Sequence, residues 1–214
     1  MNNFDKTIQI FKEFSANHNI AFPEEMVSDL IKTSYDSNED VSLYTNTANN
    51  LNVLDMDVFA KDIYYHIYGQ HKKDNILNSP DAFLINDENH WFFIEFKNSP
   101  ITSKTSTLKN NIIKKAFCVI YSMIDVLVET RQEEMLSSYA NPLNFFRNNV
   151  TYILVCDNNK NPNVAQRNVD NRAITGEYRF TPEFMQKLSS YLFCGAYVYT
   201  EEYFEKEFVK RFKY

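Results

Sequence analysis

The run Val150–Cys156 carries no charge and is closed at its ends by Asn149 and Asp157. An apolar run of this length, without the polar alternation of a half-exposed strand, reads as a central strand buried on both faces. Such a strand has to be covered above and below, which points to a sheet between helical layers. More strand character comes earlier. Asp81–Ile85 and His90–Lys97 are rich in aromatic and branched residues, and the polar turn Asn86-Asp87-Glu88-Asn89 between them predicts a β-hairpin. Ala196–Thr200 reads as a last strand.

Helical periodicity occupies much of the remainder. In Phe4–Phe14, residues Ile8, Ile10, Phe11 and Phe14 fall near helical spacing. Pro23 followed by Glu24 and Glu25 is a helix-start signal, with Met26, Val27, Leu30 and Ile31 as its stripe. Phe59, Ile63 and Ile67 predict a helix over Asp55–Tyr68, stopped by Gly69. Leu108, Ile112, Ala116, Ile120 and Ile124, widened by Ile113, Phe117 and Tyr121, predict a long, largely buried helix to Glu129. Thr181-Pro182-Glu183 opens a helix ending near Gly195, and Tyr203–Tyr214 predicts a terminal one. Tyr35–Asn52, His71–Ser79, Pro100–Thr107 and Asn158–Arg172 read as loops. The expectation is an α/β fold with a small mixed β-sheet flanked by helices. It forms one domain over 1–214, with its core at 55–157, a helical N-terminal extension at 1–54, and a C-terminal loop, helix and strand at 158–214.

Composition removes several functional classes. The chain has three glycines, too far apart for a phosphate-cradling loop. The four histidines, His18, His66, His71 and His90, form no H-E-x-x-H pair, which argues against a zinc hydrolase. The three cysteines, Cys118, Cys156 and Cys194, match no zinc or redox spacing and read as buried reduced thiols. With a polar Met1–Asp5 and no run long enough to span a membrane, a cytoplasmic protein without membrane attachment is expected. The net charge of −6 argues against strong nonspecific binding of nucleic acid but leaves room for a local basic face. Lys72, Lys73, Lys104, Lys109, Lys114 and Lys115 are the candidates for such a phosphate-contacting rim, and Trp91, Phe92 and Phe93 for a base-stacking surface, although core packing is the commoner fate of such aromatics.

One constellation carries chemistry. Asp81 opens the first hairpin strand, and Glu95-Phe96-Lys97 closes the second. Alternation puts Glu95 and Lys97 on one face of that strand, and hairpin pairing brings Asp81 alongside them. Two carboxylates this close repel unless a cation separates them. Mg²⁺ accepts such a pair together with waters, and a neighbouring lysine can orient a water or steady the charge growing on a phosphate.

Pro80, Asp81, Glu95 and Lys97, in this hairpin-helix-strand context, resemble the PD-(D/E)xK nuclease superfamily, the restriction-endonuclease-like fold, over roughly Asp55–Asp157. The resemblance implies a nuclease that hydrolyses DNA, RNA being the lesser alternative. By the same resemblance, Asp81 and Glu95, helped by the backbone carbonyl of Phe96, ligate Mg²⁺ or Mn²⁺, and Lys97 positions the attacking water. It further implies an upstream acid, for which Asp55, Asp57, Asp62, Glu24 and Glu25 are candidates, and an earlier strand, sought within Asp74–Leu77. The alternative is an inactive nuclease-like domain serving as a protein-binding or defence/immunity module, for which the acidic charge suits a basic partner. The sequence leaves homodimerisation open.

Overall fold

The computed structural model describes residues 1–69, 76–101, 106–132 and 141–214. Its centre is a six-stranded mixed sheet. In chain order the strands are β1 (Val27–Asp29), β4 (Asn52–Asp55), β5 (Ala82–Ile85), β6 (Trp91–Lys97), β7 (Val150–Cys156) and β8 (Gly195–Thr200), and they lie side by side in that same order. The pairings from β1 to β6 are antiparallel, and those of β6 with β7 and β7 with β8 are parallel. A separate two-stranded ribbon joins β2 (Tyr35–Asp36) to β3 (Val41–Ser42). The mixed sheet between helices, the hairpin and the buried central strand are as the sequence predicts, and every residue of β7 is buried.

Alternation along the strands divides the core into two apolar layers. Phe83, Ile85, Trp91, Phe93, Val150, Tyr152, Leu154, Ala196 and Val198 face one way. That face is covered by α1 (Asn3–Asn17), by the helical run α3, and by α4 (Ser106–Glu129), α5 (Pro142–Asn149) and α7 (Glu183–Tyr191). Run α3 is α-helical over Met56–Val58, π-helical over Phe59–Tyr64 and α-helical again over Tyr65–Tyr68. Trp91 is buried against Phe83 and Phe145, their ring centroids 5.2 and 4.8 Å away. Ala82, Leu84, Ile94, Phe96, Ile153, Val155 and Tyr199 face the other way, under Leu30, Leu43 and Tyr44 and under Phe204 of α8 (Glu201–Glu207). Burying side chains of this size contributes about 1.5–3 kcal/mol each.

Several expectations are corrected. The segment 1–54 is not simply a helical extension, because it supplies β1 and β4 to the sheet. Only a 3₁₀ turn, Glu24–Met26, follows Pro23, and Asp29 then caps the short α2 (Leu30–Thr33) by accepting from Lys32 N–H at 2.9 Å. The strand next to β5 before Asp81 is Asn52–Asp55 and not within Asp74–Leu77: Ile76 and Leu77 have no regular structure, and residues 74–75 lie outside the described residues. Helix α4 is amphipathic: Ile112, Ala116, Val119, Met123 and Leu127 are buried, whereas Phe117 and Tyr121 point to solvent, 56% and 65% exposed. Thr181 does not cap α7, because its hydroxyl donates to Ala196 C=O at 2.8 Å; that helix ends at Tyr191. The terminal helix stops at Glu207, and a 3₁₀ turn follows at Val209–Arg211. Of the thiols, Cys156 is buried, Cys118 half-buried and Cys194 exposed.

The largest correction is Asn158–Arg172, expected as a loop. Most of it belongs to helix α6, Pro162–Thr175. Pro162 stands in the first turn, where its missing N–H costs nothing. Gly176 follows the helix with φ +85°, the left-handed conformation that a side chain disfavours. Only Val164 and Asn168 of this helix are buried, so its apolar signal is faint. Asn168 replaces greasy contact with hydrogen bonds: its amide donates to Tyr178 C=O at 2.7 Å and Val198 C=O at 2.9 Å, and its oxygen accepts from Thr200 N–H at 3.2 Å. Asn168→Leu orphans these buried backbone groups. It is expected to cost about 3 kcal/mol, read as a lower urea midpoint at unchanged slope; a loss below about 0.5 kcal/mol would show that Asn168 does not hold α6 to the sheet.

Candidate functional site

Asp81 stands one residue before β5, where the backbone fixes it from both sides. Its N–H donates to Ile94 C=O at 2.9 Å, and its C=O accepts from Met56 N–H at 3.1 Å. Because Ala82 pairs with Ile94, Asp81 comes to lie beside Glu95. Glu95 shares a face with Trp91 and Phe93, so its carboxylate enters the layer beneath α4 and is fully buried. Lys97, two residues on, lies on the same face at the strand's end.

Each carboxylate oxygen has a partner. Asp81 Oδ2 accepts from Phe96 N–H at 2.5 Å, and Asp81 Oδ1 lies 3.2 Å from Lys115 Nζ. Glu95 Oε2 accepts from Lys115 Nζ at 2.6 Å. Glu95 Oε1 is 2.5 Å from Lys97 Nζ, in ion-pair contact without the orientation of a hydrogen bond. Lys115 therefore joins the two acids. It was read in the sequence as part of a rim, yet on α4 it sits three residues after Ile112 and four before Val119, both buried. That spacing puts it on the helix's inward face, and this is the signal that could have identified it.

The electrostatics match the geometry. Burial, and then the charge of Glu95, push the Asp81 carboxyl up to about 7, against the pull of Lys115, Lys97 and the Phe96 N–H. Burial works against the Lys115 ammonium, but Asp81 and Glu95 outweigh it, and its proton is held more firmly than in a free lysine. Burial raises the Tyr152 phenol well above its ordinary value, with Glu95 and Asp81 adding to the effect; its buried hydroxyl makes no hydrogen bond among the described residues.

Asp81 opens on a polar cleft of about 550 Å³, whose walls also include Asp36, Glu39, Asp57, Lys97 and Lys115, whereas Glu95 is buried behind it. Of the five upstream acids, only Asp57 lines it, held by Ser79 Oγ–H at 2.7 Å. Asp55 instead caps α3, accepting from Val58 N–H at 2.9 Å. Asp62, Glu24 and Glu25 are exposed elsewhere. Of the lysines expected as a rim, Lys115 lines the cleft, Lys109 lies over the Phe184 ring and Lys114 is exposed; Lys72, Lys73 and Lys104 lie outside the described residues. Trp91 and Phe93 are core, and Phe92 packs on Phe208 and Phe212, so no stacking platform arises. His90 bonds Thr151 at 2.9 Å.

Among the described residues, no three or more His, Cys, Asp or Glu side chains are grouped to hold a metal, and no helix is long and apolar enough to cross a membrane. The site's donors are two carboxylates and neighbouring backbone carbonyls. This oxygen set suits Mg²⁺ or Mn²⁺, which keep several waters, although each of its carboxylate oxygens already faces an ammonium or an N–H. No protein-family model, curated protein or solved structure matches the chain.

A carboxyl that holds its proton more tightly in the folded than in the unfolded chain stabilises the fold at low pH. Asp81's contribution is thus complete below the ordinary 3.8 and lost as pH rises through about 7. Asp81→Asn is expected to raise stability at about pH 8 by on the order of 2 kcal/mol, with the two proteins converging towards pH 4. Urea unfolding across this range checks it, and a pH-independent difference would remove Asp81 as the titrating group.

Proposed function

We propose that the chain is a divalent-metal-dependent nuclease of the PD-(D/E)xK type, with a restriction-endonuclease-like core, hydrolysing phosphodiester bonds of DNA in preference to RNA. The observation that supports this best is that Asp81 and Lys97 line one polar cleft, with the buried Glu95 in ion-pair contact with Lys97 and sharing Lys115 with Asp81. Structural ion pairs are seldom gathered at so much cost in desolvation, and strongly perturbed carboxylates in a cleft are candidates for chemistry. Asp81 and Glu95, with the Phe96 backbone carbonyl, would hold Mg²⁺ or Mn²⁺. Such an ion supplies a water of lowered pKa and a counter-charge for the phosphate. Lys97, 27% exposed at the cleft wall, orients that water and steadies charge growing on the phosphate oxygens. Asp57 lines the same cleft as a further acid for the water network.

A second reading has a specific observation in its favour. Lys115 already supplies a cation between the two carboxylates. In an inactive domain that arrangement would be permanent, and the protein would act through its acidic surface as a binding or immunity module.

Cleavage of linear and supercoiled DNA in Mg²⁺ or Mn²⁺ separates the two. Asp81→Ala, Glu95→Gln and Lys97→Ala are each expected to lower the rate by about 10²-fold or more while leaving a folded protein. Equal rates in all three variants would overturn the nuclease reading, as would a wild-type protein whose cleavage and melting temperature ignore both metals.

A further inference from the structure

Lys115 holds the position that a divalent ion would need. Its ammonium touches one oxygen of each carboxylate, at 3.2 and 2.6 Å. The remaining oxygens are taken by the Phe96 N–H and by Lys97. With both acids ionised, two carboxylates and two ammonium groups make a neutral set, and an added divalent ion leaves the buried site with excess positive charge. The oxygens that suit the metal are also those that Lys115 occupies. Metal and ammonium therefore exclude one another from this seat.

The way out for the ammonium is visible. The Lys115 stem rises from α4 between the buried Ile112 and Val119, which anchors its base. Ala116 and the core close the inward side, whereas Lys115 itself lines the cleft and is 16% exposed. Asp57 shares that cleft and adds to the hold on the Lys115 proton. A four-carbon stem pivoting at its base carries its charge from the carboxylates to the cleft wall. There it faces the open cleft.

We infer that Lys115 is a displaceable internal cation: it fills the metal seat of the metal-free protein and swings to the cleft wall beside Asp57 when a divalent ion binds, where it contacts the backbone phosphate of the nucleic acid. This inference rests on the nuclease reading above and adds regulation to it. Metal alone has to evict a well-held ammonium, so it binds weakly. A phosphate in the cleft gives the evicted ammonium a partner, so metal binds more tightly beside nucleic acid. By reciprocity nucleic acid binds more tightly with metal. Lys115 in its inward position keeps the site closed until both are present.

The test is calorimetric titration of Mn²⁺ into wild type and Lys115→Met, alone and with a DNA duplex made cleavage-resistant by phosphorothioate linkages. Lys115→Met is expected to bind Mn²⁺ alone about tenfold or more tightly than wild type. The duplex is expected to tighten Mn²⁺ binding about tenfold in wild type and by clearly less in the variant. Equal Mn²⁺ affinity in both proteins would overturn the inference while leaving the nuclease reading intact. Binding of Mn²⁺ by neither would overturn both. Should Lys115→Met be unfolded without metal, folding on addition of Mn²⁺ supports the inference, and failure to fold at saturating Mn²⁺ counts against it. Wild type gives an independent readout. Reductive methylation followed by peptide mass spectrometry is expected to label Lys115 several-fold faster in Mg²⁺, with Lys109 and Lys114 unchanged; constant Lys115 labelling at saturating Mg²⁺ would overturn the proposal.

Discussion

Two carboxylates taken out of water together repel, and the centre of this fold exists because an ammonium stands between them. Lys115 bonds to Glu95 at 2.6 Å and reaches Asp81 at 3.2 Å. It links the long helix α4 to the hairpin through a charged contact. A methionine or leucine triad of similar volume would fill the same space without the desolvation penalty, and buried ion pairs replaced in this way often leave proteins as stable or more so. The charges are therefore poorly explained by stability alone. The raised Asp81 carboxyl says the same, because even with two lysines nearby its charged form is held at a disadvantage. A carboxyl perturbed in this way at a cleft is a candidate for chemistry.

The sequence made the hairpin and the site legible for the same reason. Asp81, Glu95 and Lys97 are brought together by a single tight turn, so period-two alternation suffices to place them. The buried strand Val150–Cys156 was legible because it lacks charge along its whole length. What stayed hidden lacks a local pattern. Strand Asn52–Asp55 has only Val53 and Leu54 buried and sits at the end of a Ser/Asn/Thr-rich stretch, so its pairing with Phe83 and Ala82 is a tertiary fact. Helix α6 buries only Val164 and the polar Asn168. Lys115 is the exception, because its spacing from Ile112 and Val119 marks the inward face of α4, but which acids it meets there depends on how α4 packs across the sheet.

The upstream acid shows how local hydrogen bonding decides between neighbours. Asp55 and Asp57 are two residues apart at the start of one helix. Asp55 turns its carboxylate onto the Val58 N–H, a capping bond that satisfies an otherwise orphaned donor. Asp57, free of that duty, turns to Ser79 and the cleft, with Lys61 3.5 Å away. Helical spacing could not distinguish them, because the distinction lies in which residue begins the helix.

The switch from antiparallel to parallel pairing at β6 has a consequence for how the molecule comes into being. Antiparallel β5 and β6 are joined by one short turn, whereas parallel β6 and β7 require a crossover that runs from the end of one strand to the start of the next through α4 and α5. Contacts near in sequence close quickly, and those that span such a crossover close late. Asp57, Asp81, Glu95, Lys97 and Lys115 all precede the strand that completes the sheet. On a ribosome, the charged cluster can thus assemble around its ammonium while β7 is still unsynthesised, and the exposed edge of β6, with Phe92, Ile94 and Phe96 along it, then waits for its parallel partner. In that interval the nascent chain's open edge is its main liability for mispairing.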